Sequence, residues 1–295
     1  GLDKQLTEPM FLAQRALQRK LSPYPKDDIR YVPTIEESIA RLEAVTLEQV
    51  RQLYAEQLGG EVGEFVAVGD LDAEATPKQV QDILKDWKAS VAYERIARPA
   101  KTDVEGGKEN IITPDKANAM FFAGEMLALT DADPDYPALE LANYILGGGF
   151  TSRLMARVRV KEGLSYGVGS MFAADSKDKS GRFMMAAITN PKNIDKVDVT
   201  VHEELNKFLK DGPSDKELTE AKKAYLQAAQ VQRASDSRLV SLLADALFAG
   251  RTFDYYAELE KNISGLSKDE VTATFRKYIA PKKLVIVRAG DFKTK

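Results

Sequence analysis

The stretch VTLEQVRQLYAEQLGGEVGEFVAVGDLD at 45–72 returns as LSKDEVTATFRKYIAPKKLVIVRAGDFK at 266–293, shifted by 221 positions with no gap. Both copies open on a helix-capping pattern, Thr46-x-x-Gln49 and Ser267-x-x-Glu270. Tyr54 and Phe275 fall at matching apolar positions, and both copies close on an apolar β-type run followed by Gly-Asp. A chain that repeats at this distance is built from units of about 220 residues. The second copy closes near 293 and the first near 72, so the first unit is expected to begin upstream of residue 1. The expected organisation is residues 1–95 as the tail of one unit and 96–295 as a complete one. The join at 89–110 is polar and carries Pro99, Gly106 and Gly107, as a linker does.

Within the complete unit, 109–128 read as an edge turn and a strand centred on Met120-Phe121-Phe122. A helix follows, with Asp133 or Asp135 as cap, Pro137 in its first turn and Leu139, Ala142 and Leu146 on one face. Gly147–Gly149 stop it. A short helix ends at Gly163, and 164–175 and 180–190 read as paired strands. Residues 193–212 form a helix ended by Gly212, and 214–250 are long helical sequence opened by Ser214-x-x-Glu217. The pattern is α+β, an antiparallel or mixed sheet with helices gathered on one side.

Composition removes several chemistries. There is no cysteine, so thiolate metal sites, disulfides and cysteine nucleophiles are excluded. The single histidine, His202, cannot build a site that needs two imidazoles. HEELN at 202–206 lacks the second histidine of a helical zinc pair, and Glu203 and Glu204 read as a solvated helix face. GGGFTSRL at 147–154 lacks the Gly-Lys-Ser/Thr ending of a phosphate loop, so its glycines serve close packing or a hinge. A net charge of −3 gives no reason to expect nucleic acid. No apolar run reaches the ~18–20 residues of a membrane span, and the first residues lack the basic start and apolar core of a signal peptide.

What remains is RVKEGLSYGVGSMF at 159–172. Arg159 ends a short helix, Gly163 permits a left-handed turn, and Tyr166 begins a strand. The geometry can bring a guanidinium and a phenol to one rim of the sheet. Both are strong hydrogen-bond donors at neutral pH. Aimed at a peptide carbonyl, they would hold the peptide and stabilise a developing oxyanion. Equally, the pair reads as a surface arginine beside a half-buried strand tyrosine.

The stretch LGGGFTSRLMARVRVKEGLSYGVGS resembles the C-terminal, non-zinc half of the pitrilysin-type M16 zinc peptidases. That family includes insulin-degrading enzymes, mitochondrial processing peptidase and bacterial M16 peptidases. VRVKEGLSY matches its Arg–Tyr motif, and the first-copy region from LSPYPKDDIRYVP onward is also similar to bacterial members. The resemblance implies a LuxS/MPP-like metallohydrolase fold, with Arg159 and Tyr166 as substrate-binding and catalytic residues. It implies zinc in the complete enzyme, bound through an H-x-x-E-H motif that this chain lacks. The ligands and the base would lie on an N-terminal half or a partner subunit, and the substrates would be peptides. The isolated chain is then expected to bind no catalytic zinc and to cleave nothing.

Two other readings stay open. One is a non-catalytic structural or chaperone-like subunit of the same fold. The other is a module that binds peptides along a strand edge without hydrolysis. Export is common among bacterial relatives of this kind, and the missing cysteines permit a periplasmic location; a cytoplasmic one is the alternative.

Overall fold

The computed structural model describes residues 1–292; Lys293, the last position of the second repeat copy, lies outside the described residues. Ten α-helices and five strands are described. The helices are α1 (Pro9–Leu21), α2 (Ile35–Glu43), α3 (Leu47–Gln57), α4 (Ala75–Leu84), α5 (Tyr136–Asn143), α6 (Ile194–Asp211), α7 (Asp215–Arg233), α8 (Asp236–Ala249), α9 (Asp254–Gly265) and α10 (Lys268–Tyr278). The strands are β1 (Gly107–Ile112), β2 (Ala119–Leu127), β3 (Ser165–Ala174), β4 (Gly181–Thr189) and β5 (Val285–Gly290). They fall into two compact units, one of residues 1–39, 98–225 and 261 onward, the other of residues 40–97 and 226–260.

The first unit holds the sheet, whose strand order is β1-β5-β2-β4-β3. β1 runs parallel to β5, and every other pairing is antiparallel, so the sheet is mixed. Residues 107–112 form a full ladder with Val285–Gly290, where the sequence suggested only an edge turn. Lys108, Glu109 and Asn110 hid this strand, because an edge strand tolerates polar residues. β1 and β3 are the two edges.

Successive strand residues point to opposite faces, and the two faces carry different helices. Phe121 meets His202 of α6, while Phe183 and Phe208 meet Phe275 of α10 edge to face. The alternate residues Met120, Phe122, Val285, Val287 and Ala289 pack instead on Ala13, Leu17 and Leu21 of α1. Those three helix residues recur every four positions, which places them on one stripe. Each buried leucine there contributes ~1.5–3 kcal/mol. Most helices of the unit gather on one side of the sheet as expected, and α1 covers part of the other.

Capping follows the sequence closely. Ser267 and Glu270 form a reciprocal box at α10, and Ser214 and Glu217 exchange backbone bonds at α7. Gly212 ends α6 at φ +67°, where an added Cβ would collide with Thr272. The helix after Pro137 is interrupted: α5 stops at Asn143, Tyr144–Gly148 continue as a π-helical turn, and Asp135 makes no side-chain cap.

The second unit carries the first repeat copy. Thr46 and Gln49 complete the expected capping box of α3. Tyr54 stacks on Trp87 at 5.5 Å, and Gly60 N–H donates to Trp87 O at 2.7 Å. Elsewhere in this unit Tyr256 Oη donates to Leu242 O at 3.1 Å. One expectation fails here. Residues 64–70, which include the counterpart of β5, form no strand. A strand exists only as a member of a ladder, and β5 is held between β1 and β2. Among the described residues nothing supplies such neighbours to 64–70. The counterparts also differ in burial: Val271 is fully buried and Phe275 1% exposed, whereas Val50 is 51% and Tyr54 55% exposed.

Candidate functional site

Arg159 and Tyr166 flank a reversal that is locked by short-range chemistry. Met155–Lys161 wind as a π-helical segment rather than the short α-helix expected, and Arg159 lies in its last turn. Such wide turns are rare and recur at functional sites. Gly163 then turns the chain at φ +63°, a conformation that favours glycine. The carbonyl of Leu164 is held by Thr189 Oγ1.

Tyr166 occupies a β-bulge. Ser165 pairs with Thr189 and Gly167 with Ile188, so Tyr166 is the extra residue of β3. Bulges of this kind re-aim a side chain and are frequent beside active sites. Ser165 Oγ lies 2.7 Å from the carbonyls of both Gly167 and Ile188 and accepts from Gly167 N–H at 3.1 Å, which pins the bulge. Tyr166 is 63% exposed on the free edge of the sheet.

Arg159 is also exposed, and its guanidinium touches only Met155 Sδ, at 3.9 Å, among the described interactions. No hydrogen bond joins it to Tyr166. Both side chains stand open to solvent with donors free for a ligand.

The supporting residues were not visible in the spacing. Arg157 pairs with Glu162 on its own segment and reaches Glu203 at 3.3 Å and Glu204 at 3.5 Å on α6. Glu204 is buried, which corrects its reading as part of a solvated face. The Glu162 carboxylate beside Arg157 holds that guanidinium's pKa above its ordinary value. Arg153 grips Glu217 through Nε at 2.6 Å and donates to Gly212 O at 2.8 Å. That guanidinium pulls the Glu217 carboxyl down from 4.5 to about 2. Gly147 bears out the close-packing reading of the glycine run, because an added Cβ would run into the backbone of Ser170 on β3.

Nothing here suits zinc. Among the described residues no group of three His, Cys, Asp or Glu side chains could hold a metal ion. His202 Nδ1 lies 3.1 Å from Asp198 Oδ1, and Asp198 is shared with Lys108 at 2.6 Å and Arg288 at 3.3 Å. The Asp198 carboxylate raises the His202 pKa. Asp198 thus secures α6 to β1 and β5, His202 pairs with it within the helix, and the donor set is wrong for a catalytic metal. No helix among the described residues is long and apolar enough to cross a membrane.

A family model described as the peptidase M16 inactive domain matches residues 44–225. The chain is 26% identical over 234 residues to the non-peptidase homolog YmxG of Helicobacter pylori, covering 78% of this chain and 52% of that protein. It is 25% identical over 136 residues to the probable inactive metalloprotease YmfF of Bacillus subtilis, covering 46% of this chain and 32% of that protein. The chain thus spans about half or less of the curated relatives it matches. The crystal structure of a peptidase M16 inactive domain from Pseudomonas fluorescens superposes with a TM-score of 0.83 at 26% identity, over 100% of this chain and 68% of that one.

Proposed function

Because the chain belongs to the M16 peptidase family, whose inactive domain it carries, we propose that it is a metal-free half of an M16-type peptidase assembly. In this reading its task is to hold a peptide and present Arg159 and Tyr166 to the bond being cleaved. The zinc ligands and the base belong to an N-terminal half or a partner subunit. The observation that carries the reading is the aiming of Tyr166: a bulge pinned by Ser165 leaves its hydroxyl open on a free sheet edge, seven residues from an exposed arginine.

The contribution of this chain's own residues is electrostatic and positional. A guanidinium and a phenol donate to the scissile carbonyl and favour the oxyanion that develops on it. Neither group needs to transfer a proton. The free edge of β3 offers backbone groups to an extended peptide, which the wide turn before Gly163 leaves uncovered.

The names of the two curated relatives favour a second reading, a non-catalytic M16-like structural or chaperone subunit. One experiment separates the two. The chain is assembled with its zinc-bearing half, and kcat/KM is measured on a fluorogenic peptide for wild type, Tyr166→Phe and Arg159→Ala. The first reading expects at least a ten-fold loss in each variant with unchanged thermal stability. An assembly that turns over equally well with both variants, or not at all, leaves the second.

A further inference from the structure

A cavity of about 440 Å³ opens beside α1 on the sheet face opposite α6 and α10, at the end of β3 remote from Tyr166. Its apolar floor is Leu17 and Leu21 of α1 with Met126 of β2 and Met184 of β4. Gln14 and Gln18 line the same cavity one helical turn apart. Arg98 and Arg182 line it as well. Both residues are exposed, and neither side chain has a carboxylate partner among the described interactions. Asp175 lies at the same rim, and its Oδ1 accepts from the backbone N–H groups of Lys177 and Asp178 at 2.7 Å.

Several other basic side chains of this unit are matched. Arg153, Arg157, Arg288, Lys108, Lys116 and Lys277 each meet a carboxylate. Two unmatched arginines over an apolar floor are a different arrangement. Planar guanidinium groups bind carboxylates through paired hydrogen bonds, and the floor accepts the apolar part of whatever carries that carboxylate.

We propose that this cavity is an anchoring subsite for a peptide carboxylate, held by Arg98 and Arg182, with the neighbouring apolar side chain seated on Leu17, Leu21, Met126 and Met184. In taking a peptide as the ligand it rests on the function proposed above. Ala174 at the cavity and Tyr166 at the bulge are eight residues apart on β3, roughly 26 Å at ~3.3 Å per residue. A peptide running along this edge would therefore be anchored about eight residues from the bond presented to Tyr166. The subsite would favour substrates carrying a free carboxylate at that distance. A carboxyl terminus and an acidic side chain offer the same chemistry.

The test uses the whole chain and three fluorescein-labelled decapeptides of alanine and leucine: one with a free carboxyl terminus, its terminal amide, and the amide with glutamate at the penultimate position. Binding is followed by fluorescence anisotropy. At least one carboxylate peptide should bind ten-fold or more tightly than the neutral amide. That advantage should vanish in the Arg98→Gln/Arg182→Gln double variant, whose exposed substitutions leave the circular dichroism spectrum unchanged. Preference for the free terminus alone identifies C-terminal recognition, and preference shared by the glutamate peptide identifies side-chain recognition. Equal binding of all three peptides, binding of none, or an advantage that survives the double variant overturns the proposal. These outcomes are independent of turnover, so loss of activity in Tyr166→Phe is judged separately.

Discussion

At the scale of single residues, the candidate site depends on positions whose value is invisible outside the fold. Gly147 is such a position. Its backbone passes so close to Ser170 that an added Cβ has no room, and neither backbone can yield cheaply. Gly147→Ala is expected to destabilise the protein by about 1–3 kcal/mol, the usual cost of overpacking, measured as a lower urea midpoint. Because Ser170 lies on the strand that carries the bulge, the same variant should lower peptide turnover in the assembled enzyme by more than its loss of folded protein explains. Arg159 and Tyr166 were singled out by the resemblance of VRVKEGLSY to a family motif rather than by their spacing, and their joint role belongs to the proposed function. The bulge was not legible, because it arises from register: Thr189 and Ile188 take Ser165 and Gly167 as partners and leave Tyr166 over. Local propensity carries no record of a partner strand's spacing.

At the scale of elements, α7 is tied to the segment after the glycine run by one ion pair. Glu217 receives two hydrogen bonds from Arg153, of 2.6 and 2.8 Å, and closes the cap at Ser214. The folded-state carboxyl titrates near 2 instead of its ordinary 4.5. A depressed carboxylate adds stability above its unfolded pKa and loses it as pH falls through the folded value. The Arg153–Glu217 contribution should therefore be complete above about pH 5 and disappear between about 4.5 and 2. Glu217→Gln should be less stable than wild type by about 1–3 kcal/mol at pH 7, with the gap closing toward pH 2. A gap that stays constant from pH 7 to pH 3 would contradict this assignment. Elements were read well wherever caps and periodicity coincide, as at α6 and α10, whereas the long helical run read over 214–250 breaks before Asp236 into α7 and α8. They were misread where long-range pairing decides. VIVRAG became β5 because two strands flank it, while the similar run at 64–70 has no such neighbours and stays irregular. Residues 107–112 became a strand against their polar composition for the converse reason.

At the scale of the whole molecule, the repeat supplies an internal comparison. Val271 and Phe275 are sealed in a core, and their equivalents Val50 and Tyr54 stand open together with Leu47 and Leu53 of the same helix. A contiguous exposed apolar helix face is an association surface. The purified chain should bind a hydrophobic dye and self-associate with rising concentration, measured by light scattering. Val50→Lys together with Leu53→Glu should suppress both without lowering the thermal midpoint of the sheet-bearing unit. Dye binding unchanged by the double substitution would show that some other surface is responsible. The α+β class and mixed sheet were readable from element order, whereas the seat of α1 on the opposite sheet face was not, since its apolar stripe names no partner. That seat has a consequence for biosynthesis. Ala13, Leu17 and Leu21 are sheltered by Met120 and Phe122 of β2 together with Val285, Val287 and Ala289 of β5. At ~5–20 residues per second on the ribosome, α1 waits roughly 15–50 s for β5. Until residue 290 emerges, nascent polypeptide carries that stripe only partly covered, so holdase chaperones and translation speed become natural controls on its yield.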